Sequence, residues 1–124
     1  MEFYVCKHCG NIVAMVQNSG APVSCCGEKM DRLTENTVDA SNEKHLPVVS
    51  RSGEKVTVKV GSIAHPMENA HYIGWIVLQT KAGNQRKILQ AGAAPEADFY
   101  IAPEDEVLKA YAYCNLHGLW STVL

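Results

Sequence analysis

The sequence predicts an all-β protein: a small metal knuckle followed by an immunoglobulin-like β-sandwich. Three observations carry that expectation. Four of the five cysteines lie within the first 26 residues. From residue 48 onward, apolar residues alternate with polar ones at the period of a strand. Gly and Pro at 61, 66, 92, 95, 103 and 118 cut that stretch into short pieces. Roughly seven short strands over such a length is the pattern of a sandwich.

Residues 1–36 are expected to form the first domain. Its apolar residues are Phe3, Tyr4, Val5, Ile12, Val13, Met15, Val16 and Met30. So few cannot make a stable core, and a structural metal is the expected staple. Gly10 and Gly27 each follow a cysteine pair, where a tight knuckle turn demands positive φ. Asn18–Pro22 reads as a turn between two short strands. Residues 34–47 are polar and read as the linker into the second domain, residues 37–124.

Within the second domain, Val56, Val58 and Val60 alternate with Thr57 and Lys59, which makes a half-buried strand. Tyr72–Thr80 is a longer, mostly apolar strand, Lys81–Asn84 its hairpin turn and Arg86–Leu89 the return. Phe99–Ile101, Val107–Tyr113 and Leu119–Leu124 are further strands. Val107, Tyr111 and Tyr113 are expected on the core face of theirs. Pro103–Leu108 is the one place read as a helical turn. Trp75 and Trp120 are expected as core or site-wall residues.

The chain has 124 residues and a net charge of −2. It carries no basic stripe or polybasic tail, so neither a nucleic acid nor a membrane surface is expected as partner. No apolar run reaches the ~18 residues that cross a bilayer. The first residues lack the pattern of a signal peptide, and the expected compartment is the cytoplasm. Thiols stay reduced there, so clustered cysteines read as metal ligands before disulfides.

Cys6-x-x-Cys9 and the vicinal pair Cys25-Cys26 can wrap one ion in a tetrahedral thiolate shell. Adjacent cysteines strain that tetrahedron, whereas ordinary zinc ribbons use a spaced pair on both sides. The donor set admits iron or a zinc staple. His8 lies inside the knuckle and reads as an exposed loop residue, because four sulfurs complete the shell.

The second group is His45, His65, His71, Cys114 and His117, all in loops or at strand ends. Loops at one end of a sandwich can converge on one point. Four imidazoles and one thiolate suit ferrous iron and leave one octahedral position open. With the histidines equatorial, the thiolate lies opposite that vacancy and pushes electron density across the metal, as in thiolate-ligated haems. A metal-free Cys/His dyad is the rival, but it leaves most of the histidines idle.

Cys6-Lys7-His8-Cys9-Gly10, Cys25-Cys26-Gly27, Glu43-Lys44-His45-x-Pro47, His65-Pro66-Met67 with His71, and Cys114-Asn115-x-His117-Gly118-x-Trp120 run in order along the chain. Together they resemble desulfoferrodoxin, the two-iron class of superoxide reductase. The first part resembles desulforedoxin, a small iron–thiolate module of rubredoxin-like type. The second resembles neelaredoxin, with its immunoglobulin-like sandwich. The resemblance implies two non-haem irons, held by Cys6, Cys9, Cys25 and Cys26, and by His45, His65, His71, His117 and Cys114. It implies one-electron reduction of superoxide to hydrogen peroxide, without dioxygen.

On the same ground Lys44 attracts superoxide and donates a hydrogen bond to bound product, and Glu43 can ligate the oxidised iron. The resemblance further implies a rubredoxin-like donor, a homodimer and an anaerobic or microaerophilic setting. An electron carrier with a merely structural second metal, and a zinc-stapled interaction module, are the competing classes. A coordination position open to substrate separates a reductase from both, since structural sites are closed. Asn115 is expected to aim backbone N–H groups at the Cys114 sulfur.

Overall fold

A computed structural model describes residues 1–124. The chain divides into two compact units, Met1–Thr34 and Glu35–Leu124. It is nearly all β, with one short helix.

The first unit is made of strands two or three residues long: β1 (Phe3–Val5), β2 (Ile12–Ala14), β3 (Ser24–Cys25), β4 (Glu28–Lys29) and β5 (Asp31–Arg32). β1 is central in an antiparallel β2-β1-β5 sheet, with Phe3 opposite Ala14 and Tyr4 opposite Arg32. β3 and β4 form a separate hairpin in which Cys25 pairs with Glu28. That leaves Cys26 and Gly27 as a two-residue loop, at φ 52° and 75°. Two left-handed residues make the tight hairpin turn whose twist matches the strands. Glycine adopts this freely, whereas Cys26 holds it at a cost of about 1–3 kcal/mol.

The second unit is a sandwich of two antiparallel sheets, β10-β7-β6 and β12-β11-β8-β9. Its elements are α1 (Asn42–His45), β6 (Pro47–Ser52), β7 (Lys55–Val60), β8 (Ile73–Thr80), β9 (Asn84–Ile88), β10 (Glu96–Tyr100), β11 (Val107–Cys114) and β12 (Gly118–Val123). The core lies between the sheets: Val56, Val58, Val60 and Phe99 from one, and Ile73, Ile76, Leu78, Ala110, Ala112 and Cys114 from the other. Each fully buried Val, Ile or Leu stabilises the fold by about 1.5–3 kcal/mol.

Two expectations need correction. Pro103–Leu108 is not helical: Asp105 N–H bonds to the Ala102 carbonyl in a turn, and β11 begins at Val107. The helical turn is α1, inside the stretch read as linker. It is one turn long because Pro47 forces Leu46 into the extended region, at φ −68° and ψ 125°. β11 also differs in part: Tyr111 is buried and Val107 packs against the core as expected, but the side chains between the sheets are the small ones. Ala110, Ala112 and Cys114 point into the sandwich, while Tyr113 stacks on Trp75 outside it, with ring centroids 5.3 Å apart. Small residues face inward on β11 because bulky ones from β7, β8 and β10 fill the space opposite.

A bulge ends the β11–β8 ladder beside the site. Tyr113 pairs with Trp75 but Cys114 with Ile73, so Gly74 is the extra residue. The bulge brings Ile73 to the core side at the level of Cys114.

Candidate metal centres

In the first unit the sulfurs of Cys6, Cys9, Cys25 and Cys26 lie within 4.8 Å of one another. The knuckle is closed by Gly10 N–H to the Cys6 carbonyl at 2.9 Å and Cys6 N–H to the Asn11 carbonyl at 2.8 Å. The Cys9 backbone N–H holds the Cys6 thiol down to about 6, while hydrogen bonding with Cys9 and Cys6 pushes Cys26 up to about 12. The cluster readily forms one thiolate and resists forming four. A cation at the centre removes that conflict, since coordinated thiols deprotonate outright. His8 lies away from the sulfurs as an exposed ring 3.1 Å from Glu28.

In the second unit four imidazoles form a closed square. Ring centroids are 4.7 Å apart for His45–His65, 4.6 Å for His65–His71, 5.1 Å for His71–His117 and 4.9 Å for His117–His45. Neighbouring rings stand nearly perpendicular, at 79° to 81°. The opposite pair His45–His71 is 6.4 Å apart. His45 Nε2 lies 3.2 Å from His65 Nε2 and 3.0 Å from His117 Nδ1. Cys114 Sγ falls within 4.8 Å of the His45, His65 and His71 donors and 3.8 Å from His117 Nδ1.

Three segments place the five donors. α1 carries His45, the loop between β7 and β8 carries His65 and His71, and the β11–β12 turn carries Cys114 and His117. The His45 Nδ1 hydrogen points at the Ser41 carbonyl, 2.7 Å away, and that of His65 at the Pro66 carbonyl, 2.6 Å away. These bonds set the tautomer and leave each Nε2 lone pair facing inward. Burial pushes the His45 imidazole down and His65 down to about 4, so both are neutral and free to ligate. The His117 backbone N–H points at the Cys114 sulfur, 3.4 Å away. Trp120 walls the site, its ring 4.8 Å from His45 and its Nε1–H on the His117 carbonyl at 3.1 Å.

The fit to a metal is direct. Four donors, His45, His65, His71 and Cys114, lie within 4.8 Å of one another, with His117 Nδ1 3.0 Å from His45 Nε2; His71 Nε2 is buried with no hydrogen-bond partner, which costs free energy unless a cation takes the lone pair. His45 and His65 are buried, whereas His71 and His117 are partly exposed, so the cluster reaches the surface on that side.

Glu43 and Lys44 are exposed on α1, next to His45. Their turn is held from below. The Glu43 carbonyl accepts Ile63 N–H at 3.0 Å and Ser62 Oγ–H at 3.3 Å. A Cβ at Gly61 would collide with that carbonyl and lie 2.9 Å from the Lys44 carbonyl carbon. Glycine at 61 is what lets the β7 end pass under α1.

A backbone N–H does point at the Cys114 sulfur, that of His117, while the Asn115 side chain reaches to the chain on either side of His71. The sequence carries no sign of Ser41 as a site residue, and it shows Gly61 and Pro66 only as strand breaks and, for Pro66, as part of a motif. They act through backbone carbonyls or a missing Cβ, which leave no residue-type signal.

The desulfoferrodoxin family model matches residues 37–123, and that of the desulfoferrodoxin N-terminal domain matches residues 1–33. The desulfoferrodoxin of Syntrophotalea carbinolica is 47% identical over 122 residues, covering 98% of this chain and 95% of that protein. That of Nitratidesulfovibrio vulgaris is 46% identical, covering 96% and 93%. The crystal structure of the superoxide reductase from Treponema pallidum superposes with a TM-score of 0.84 at 44% identity, over 98% of this chain and 97% of that one. Two donor sets on these two units, matched end to end, place the chain in one group: it belongs to the desulfoferrodoxin family.

Proposed function

We infer that this chain is a superoxide reductase, which reduces superoxide by one electron to hydrogen peroxide and releases no dioxygen. The observation that carries the reading is the square of four imidazoles with the Cys114 sulfur as fifth donor. Five donors to an ion that takes six keep one position for a small ligand, which a purely structural site does not do. The superoxide reductase of Treponema pallidum, with the same fold over nearly the whole chain, supports the same reading.

The cofactors are two non-haem iron ions. Cys6, Cys9, Cys25 and Cys26 would hold the first; His45, His65, His71, His117 and Cys114 would hold the second. When bound, the second iron supplies the electron that superoxide accepts. The chain's own residues do the rest. His45 and His65 present fixed lone pairs, because Ser41 and Pro66 occupy their outer nitrogens. The buried Cys114 sulfur would be the electron-rich donor to that iron, its strength moderated by the His117 amide.

Lys44 and Glu43 are the residues we assign to the mouth. Superoxide is an anion and the chain is net acidic, so a local cation must focus the field. The Lys44 ammonium is exposed beside His45, free to draw superoxide in and to donate a hydrogen bond to it. Glu43, adjacent on the same turn and exposed, is the carboxylate we assign as the one that would ligate the oxidised iron. Lys44→Ala should slow the bimolecular reaction about 10-fold at low salt and flatten its ionic-strength dependence. An unchanged rate would remove Lys44 from the mechanism.

A one-electron reductase needs an external one-electron donor, and a small rubredoxin-like protein fits that need. A homodimer, a cytoplasmic setting and an anaerobic host belong to the same reading. No helix is long and apolar enough to cross a membrane.

Pulse radiolysis of the reduced, iron-loaded protein tests the function. The expected result is one peroxide per superoxide with no dioxygen. Dioxygen in the products would mean dismutation, and no reaction would favour an electron carrier.

A further inference from the structure

Two of the four imidazoles, His45 and His65, are oriented by a carbonyl on the outer ring nitrogen. His71 has no such partner, and its Nε2 is buried without one. What aims this ring is its backbone. His71 N–H bonds to the Glu68 carbonyl at 3.1 Å, and Glu68 N–H to the His71 carbonyl at 2.9 Å. These bonds close the loop on itself and do not tie it to the site.

Asn115 supplies that tie. Its Nδ2–H donates to the Ala70 carbonyl at 3.0 Å, and its Oδ1 accepts Tyr72 N–H at 2.9 Å. Its own N–H donates to the Tyr72 carbonyl at 3.2 Å. The three bonds grip the residues immediately before and after His71. Asn115 itself directly follows Cys114. We propose that Asn115 is a positioning residue that locks the His71 peptide to the Cys114 loop, fixing the imidazole and the thiolate in register for one metal.

The chemistry requires an amide at this position. The side chain must accept from one peptide and donate to another about one residue away. Aspartate matches the shape and the acceptor but sets a carboxylate oxygen against the Ala70 carbonyl. Alanine removes both bonds. Asn115 is exposed, so neither change opens a cavity, and its bonds concern the placement of His71 more than the core.

The proposal rests on the reading of His71 and Cys114 as ligands, and the experiment separates the two. Full-length wild type, Asn115→Asp, Asn115→Ala and His71→Ala are titrated anaerobically with Co2+. Binding at the second site is read from the thiolate band that Cys114→Ser lacks. Urea unfolding of the metal-free proteins is measured alongside. Both Asn115 variants should bind Co2+ at the second site about 10–100-fold more weakly, the usual cost of losing an outer-shell support. Their binding at the four-cysteine site and their urea midpoints should stay near wild type, and the Tyr72 amide should exchange faster. Wild-type affinity in both Asn115 variants, with His71→Ala weakened, would overturn the positioning role alone. Wild-type affinity in His71→Ala would overturn the ligand reading beneath it. Urea midpoints that fall in step with the affinity would make Asn115 a fold residue instead.

Discussion

Stripping the metal from Cys6, Cys9, Cys25 and Cys26 will unfold Met1–Thr34 and leave Glu35–Leu124 folded. The first unit buries only Phe3, Cys6 and Met30 among its apolar residues. Its strands are two or three residues long, too short for independent stability. One feature opposes the folded state whether or not a cation is bound: the left-handed Cys26, at φ 52°. Structural metal binding in small thiolate domains carries about 10–16 kcal/mol of apparent free energy, which becomes folding free energy. Cys26→Ser with anaerobic chelation is the test, read by amide spectra and limited proteolysis. Signals of 1–34 should collapse to random-coil positions while those of the sandwich persist. Dispersed signals from the metal-free first unit would refute this account.

Cys114→Ser should abolish superoxide reduction while leaving the sandwich folded. Cys114 is fully buried at the end of β11, and its sulfur accepts the His117 amide at 3.4 Å. A serine hydroxyl fits the space but does not ionise near neutral pH, so the anionic donor is lost. The expected fall in the superoxide rate exceeds about 100-fold, the upper end of what an outer-shell change costs. The sulfur-to-metal band of the second site should vanish. Stability of the metal-free protein should drop by only about 1–3 kcal/mol, the penalty for a buried, poorly paired hydroxyl. Retained activity would remove the thiolate from the chemistry.

Much of the architecture was legible because strands and metal knuckles write themselves in residue types. The alternation of Val56, Val58 and Val60 marks β7, and the run from Ile73 to Thr80 marks β8. α1 was not legible. Its single turn has no apolar period, and tertiary bonds from Ile63 and Ser62 to Glu43 hold it. The face of β11 was legible in part: Tyr111 is buried as expected, but Ala110, Ala112 and Cys114 fill the space between the sheets, and small residues attract no core assignment.

By itself the sequence displayed the donor types, because metal chemistry demands cysteine and histidine and leaves few alternatives. Only the tertiary structure decided how the donors meet. His117 turns Nδ1 inward, whereas His45 and His65 turn Nε2. The outer nitrogens of His45 and His65 find backbone carbonyls at Ser41 and Pro66. Asn115 reaches across to Ala70 and Tyr72. Each is a question of direction between segments distant in the chain, and a carbonyl carries no residue identity that a sequence could display.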